Sequence, residues 1–110
     1  MGNPIMFGNL KREGNNLFRH ISTRWFELRT TGLYYYKTKG DRKAKFLLDL
    51  RYCEVNPNAK YREYFHFAIV QTQPNKKTTF HFWATDDNAK IEWVNHLKNV
   101  IYSLDVNLGA

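Results

Sequence analysis

The hydrophobic period of this chain changes once, and the change constrains the fold more than any composition figure. As far as residue 84 the apolar and aromatic residues come in short runs that alternate with polar neighbours, as Phe26 and Leu28 do. Alternation at period two is the mark of half-buried strands, and the β-branched and aromatic density agrees. The runs place strands near 5–12, 23–30, 32–37, 45–50, 52–55, 63–71 and 78–84. From Asp86 the apolar positions are Trp93, Leu97, Val100 and Ile101, with Ala89 and Val94 beside them. That spacing makes one stripe along a helix of about four turns. Thr85 or Asp86 can cap its start, and Asp86 and Asp87 suit the positive end of its dipole.

Seven short strands followed by one helix imply a mainly β fold. Consecutive strands at this spacing pair as antiparallel hairpins. Thr31-Gly32, Asn56-Pro57-Asn58 and Gln73-Pro74-Asn75 supply turn chemistry between them. A helix with one apolar stripe can plug one end of a strongly bent antiparallel sheet and leave the other end open. The chain has 110 residues, enough for one domain with its own core and too few for two. The domain is expected over 5–103, with 104–110 a loose tail.

Charge is placed unevenly. Residues 1–45 hold ten Lys or Arg against three acids, whereas 46–110 hold seven of each. The whole net charge of +7 therefore lies in the first part of the chain, which points to an anionic partner on one face. One cysteine, Cys53, cannot form an internal disulfide. The expected setting is cytoplasmic, and Cys53 is read as a small buried residue rather than a reactive thiol. No apolar run approaches the ~18–20 residues that span a bilayer, so any membrane contact is peripheral.

Catalytic and metal chemistry find little footing. No nucleophile–base pair stands out, and no glycine-rich phosphate loop precedes a helix. His66 and His81 each lie between phenylalanines on strands and should face away from the core, with no third metal ligand in view. The chain is therefore read as a binding module, not an enzyme, with no cofactor. Nucleic acid would need Trp25, Tyr34 or Tyr36 to stack bases. No RNA-binding signature accompanies them, and that reading leaves the terminal helix unexplained.

Gly8-Asn9-Leu10, Arg24-Trp25-Phe26-Glu27-Leu28 and Leu33-Tyr34-Tyr35-Tyr36 resemble the first three strands of a pleckstrin-homology (PH) domain. The late helix with a central tryptophan, Trp93, is similar to that family's closing helix. The resemblance covers about residues 5–103. It implies a seven-stranded barrel-like sheet capped by one helix, acting in signalling as a membrane-targeting module that binds phosphoinositides or other anionic lipids. Trp93 is then a core anchor. The family's headgroup signature has a base ending strand one, a variable loop, and two bases one apart starting strand two. Arg12 matches the first and Arg24 the last, while Ser22 stands where the middle base is expected. By the same resemblance Tyr35 and Lys45 match headgroup contacts.

Alternation supports that set independently. Arg12 is two after Leu10, Arg24 two before Phe26, Tyr35 two after Leu33 and Lys45 two before Leu47. All four therefore belong to the core-facing side, at strand ends. Charges there are tolerable only where the sheet is open to water or to an anion. Arg19, His20, Ser22 and Lys43 are further candidate contacts around the 13–22 loop. Leu17 and Phe18 either insert shallowly between lipid headgroups or fold back on the sheet. Lys37, Lys39 and Arg42 add diffuse attraction to an anionic leaflet. The isolated domain is expected to be a monomer. The alternative is a protein-interaction module on the same fold with weak lipid binding or none.

Overall fold

The computed structural model describes residues 3–14, 20–58 and 64–109, the side chains of 107–109 excepted. Seven strands precede one helix: β1 (Met6–Glu13), β2 (Ile21–Arg29), β3 (Gly32–Tyr36), β4 (Lys45–Leu48), β5 (Cys53–Asn56), β6 (His66–Gln73), β7 (Lys76–Trp83) and α1 (Asp87–Gly109). They form one antiparallel sheet in the order β4-β3-β2-β1-β7-β6-β5. The link between its halves is narrow, with only Lys11↔Trp83 and Arg12↔Phe82 joining β1 to β7.

Alternation sends one face of each strand into a single core. Leu10, Phe26, Leu28, Leu33, Phe67, Ile69 and Phe82 are each at most 1% exposed. Phe26 meets Phe82 edge-on, with ring centroids 5.7 Å apart, an arrangement that favours the ring quadrupoles. Helix α1 adds Trp93, Val94, Leu97, Val100 and Ile101 to the same cluster. Asp86 caps it, its Oδ1 accepting the Ala89 backbone N–H at 2.7 Å.

Several details depart from the sequence-based expectation. The helix runs on to Gly109, so 104–109 are helical where a loose tail was expected. Leu104 still packs against the core, and that contact carries the helix past Ile101. Strand β4 is bulged: Leu33 pairs with Leu48 and Tyr34 with Phe46, so Leu47 is the extra residue. Leu48, rather than Leu47, takes the deeply buried place. Gly32 permits the close approach there. A Cβ on it would lie 2.7 Å from both the Leu48 carbonyl oxygen and the Phe46 ring, at φ 150°.

His66, paired with Trp83, and His81, paired with Ala68, do take the sheet face opposite to that of Phe67 and Phe82, as alternation requires. They are not simply solvated, however. His66 is 3% exposed, and its Nε2 is 2.9 Å from Nδ1 of His81, one nitrogen donating to the other. Cys53 is buried, and desolvation pushes its thiol up to about 12, which keeps it protonated and unreactive at neutral pH.

Candidate functional site

The site is made where two hairpins end. The β1–β2 register is Leu10↔Arg24 and Arg12↔Ser22. The β2–β3 register puts Phe26 opposite Tyr35, and β3–β4 puts Tyr35 opposite Lys45. Directly opposed residues share a face. The face that buries Leu10 and Phe26 thus continues outward as Arg12, Ser22, Arg24, Tyr35 and Lys45. Helix α1 supplies no residue to this end.

These side chains line a cleft of about 240 Å³ together with Gly14, His20 and Lys37. All four residues expected to form the mouth, Arg12, Arg24, Tyr35 and Lys45, are brought together there. His20 and Ser22 join them. Lys43 is exposed outside the lining, and Leu17, Phe18 and Arg19 lie outside the described residues. Lys37 was expected only to add diffuse charge, yet it lines the cleft. It stands two after Tyr35, and the period-two rule that selected Tyr35 would have found it.

Among the described residues no Asp or Glu lines the cleft. The Arg12 guanidinium lies over the Tyr35 ring, 5.4 Å from its centroid, a cation–π contact that fixes its position. Arg12 Nε is buried with no hydrogen-bond partner among the described residues. Arg24 Nη1 donates to the Thr23 carbonyl at 2.8 Å. Glu27, three residues along β2 from Arg24, pairs with Arg29 at 2.8 Å on the other side of the sheet. At the foot of the loop, the Gly14 N–H donates to the His20 carbonyl at 2.9 Å, which holds the β1 and β2 ends together. The result is a cleft of guanidinium and ammonium donors with a phenol at its wall. Such a set suits a multiply charged oxyanion, because the arginine fork donates paired hydrogen bonds to phosphate oxygens.

A larger opening of about 440 Å³ lies elsewhere, between the outer side of β1–β2 and residues 64–65 and 83–85. Among the described residues Lys11 is the one Lys or Arg in its lining, beside Leu10, Phe65 and Trp83. It is the bigger space but the poorer anion site. On the outer face Trp25 carries the Lys39 ammonium 4.7 Å from its ring centroid, which occupies a ring that base stacking would need. Among the described residues no helix is long and apolar enough to cross a membrane, and no cluster of three metal-ligating side chains occurs.

Comparison with known proteins follows the same lines. The PH domain family model matches residues 4–102. A human relative, Arf-GAP with coiled-coil, ANK repeat and PH domain-containing protein 3, is 27% identical over 99 residues. That match takes in 90% of this chain and 11% of the relative's length, so the chain spans about a ninth of it. The solution structure of the PH domain of human KIAA0053 protein has a TM-score of 0.75 at 27% identity, covering 92% of this chain and 91% of that one. The C-terminal PH domain of pleckstrin, solved in complex with D-myo-Ins(1,2,3,5,6)P5, has a TM-score of 0.75 at 22% identity, covering 91% and 97%.

Proposed function

The chain belongs to the PH domain family, and on that premise we propose that its basic mouth binds phosphorylated inositol headgroups and so docks a larger protein on an anionic leaflet. One observation carries the reading: Arg12, Arg24, Lys37 and Lys45 converge on a cleft that, among the described residues, no carboxylate lines. Arg12 and Arg24 are half-buried and Lys37 and Lys45 exposed, and gathering like charges without a counter-charge is costly. An anion from outside the chain offsets that cost, and Arg12 Nε has a donor ready for it. The inositol pentakisphosphate of the pleckstrin domain belongs to the ligand class this cleft suits. The domain then acts as a cytoplasmic, peripheral-membrane binding module with no reaction of its own.

By the resemblance to the PH headgroup signature, Ser22 stands where a further base is expected. A hydroxyl donates one hydrogen bond and no charge. Modest affinity and limited discrimination among headgroups follow. A vesicle co-sedimentation panel over the phosphoinositides, with phosphatidylserine vesicles as control, tests the proposal. Selective sedimentation with phosphoinositide vesicles supports it. Equal binding to every anionic vesicle would reduce the function to surface charge.

A second reading, a protein-interaction module, is favoured by the exposed side of α1. Ile91 is 49% and Tyr102 71% exposed, and a separate groove on the helix is lined by Ile5, Thr30, His96, Val100 and Leu104. Helix-facing grooves of this kind take peptide segments. If the vesicle panel is negative and a Tyr102→Glu variant loses a protein partner that the parent captures, this reading replaces the first.

A further inference from the structure

Ser22 has a feature that simple headgroup binding leaves unused: it is a hydroxyl set inside a ring of cations. It stands opposite Arg12 in the β1–β2 register and lines the mouth with Arg12, Arg24, His20, Lys37 and Lys45. We propose that Ser22 is a phosphorylation site for a basophilic serine/threonine kinase, and that the phosphoserine occupies the mouth as a tethered competitor of the anionic ligand. The inference rests on the anion-binding reading of the mouth and names a regulation of that site.

Three observations support it. The first is proximity. Directly opposed antiparallel residues have Cβ atoms roughly 4.5–5.5 Å apart. A phosphoryl group on Ser22 Oγ therefore comes within reach of the Arg12 guanidinium, whose Nε is buried with no hydrogen-bond partner among the described residues. The group carries about −1.5 to −2 charge and three acceptor oxygens. No carboxylate among the described lining residues repels it.

The second is access. Strand β3 pairs with β2 only from Trp25 onward. Residues 21–24 thus have no β3 partner on that edge, and Ser22 is half-buried rather than enclosed. The third is sequence context. The chain has two serines, Ser22 and Ser103, and only Ser22 has an arginine three residues before it, Arg19. Kinases read charge patterns of this kind.

The chemistry balances. Ser22 Oγ attacks the γ-phosphorus of ATP; the Oγ–P bond forms as the bond to the bridging oxygen of ADP breaks. The hydroxyl proton passes to the kinase's catalytic carboxylate, and ADP leaves. Once attached, the phosphate competes at the high effective concentration of an intramolecular ligand, so a membrane headgroup must displace it.

The test uses the whole chain with phosphoserine incorporated at position 22 during synthesis, beside the unmodified protein. The probes are phosphatidylcholine vesicles carrying a phosphatidylinositol bisphosphate. The phosphorylated form is expected to bind about tenfold more weakly or worse, and phosphatase treatment to restore binding. In parallel, the phosphorus resonance of the phosphoserine should titrate below its usual value of about 6, and return towards it in an Arg12→Ala background. Phosphorylated protein that binds vesicles like the parent, or a phosphate that titrates as it does in a free peptide, would overturn the proposal. If the unmodified protein ignores the vesicles, the headgroup reading has failed. The titration then decides alone whether the phosphate occupies the mouth. A kinase arm completes the test: folded protein, ATP and a basophilic kinase, with the product mapped by mass spectrometry. Phosphate on Ser22, absent in Ser22→Ala, supports the assignment; phosphate confined to Thr23 or Ser103 overturns it.

Discussion

The two ends of the bent sheet are built from the same strands and have opposite chemistry. At the closed end the inward face ends in Leu28, Leu33 and Leu48, and α1 lays Trp93 and Leu97 on the core. At the open end the same faces of β1, β2 and β3 end in Arg12, Ser22, Arg24 and Tyr35. The helix makes the difference. One apolar stripe can cover one opening, and whatever side chains point into the other must live with water or with a ligand. The packed core and the cationic mouth are therefore separated in space, so each should be alterable with little effect on the other.

The comparison breaks most visibly at Trp93. Truncation of an aromatic that is 1% exposed should cost about 3–5 kcal/mol of stability, read by denaturant unfolding. A loss below about 1 kcal/mol would mean that the helix does not close the core. Next come Arg12→Ala and Arg24→Ala. Each should weaken binding to phosphoinositide vesicles by about tenfold or more, ~1.4 kcal/mol, with the unfolding midpoint nearly unchanged. Lys11→Ala, in the other opening, is the control and should bind like the parent. If Lys11→Ala is the damaging change, the ligand occupies the larger, more apolar opening and the mouth assignment fails.

A smaller effect of opposite sign is expected from Ser22→Lys. One more ammonium in the lining should strengthen vesicle binding by roughly fivefold, the equivalent of ~1 kcal/mol for a base near an anionic surface. No gain would show that position 22 does not face the headgroup. The smallest effect lies away from both ends, in the turn after β4. The Arg51 guanidinium, donating from Nε to Asp49 Oδ2 at 2.8 Å, holds the Asp49 carboxyl below its ordinary value. A depressed carboxyl stabilises the fold above its unfolded pKa of about 3.9 and loses that contribution as pH falls through the folded value. Arg51→Ala should thus melt slightly lower than the parent at neutral pH, with the difference vanishing in strong acid. A difference that persists in acid would assign Arg51 a packing role instead.

Much of the mouth could be read in advance because strand alternation is local. Once Leu10 and Phe26 are taken as inward, Arg12 and Arg24 follow by counting, and so does Tyr35 from Leu33. Lys45 reached the correct face by a less secure route. Its reference residue, Leu47, turned out to be the extra residue of a bulge, and its face is set by pairing with Tyr35. Lys37 obeyed the same rule but was placed among the diffuse charges. The helix was legible from its stripe, but its end was not. Contact of Leu104 with the core carries α1 past Ile101, and a tertiary contact of that kind leaves no periodic signal once the stripe thins.

The change of hydrophobic period by itself determined the order of elements, the single core and, outside the bulged β4, which face of the strands enters it, because side-chain direction in strands and helices depends only on local backbone geometry. Only the tertiary structure decided what lies beside what. It joined Arg12 to Phe82 across the β1–β7 corner, buried His66 against His81 and brought residues from four strands and the loops beside them into one cleft that no carboxylate lines among the described residues. Those relations depend on pairing between residues distant in sequence and on which opening the helix covers, and no local pattern in the chain encodes either.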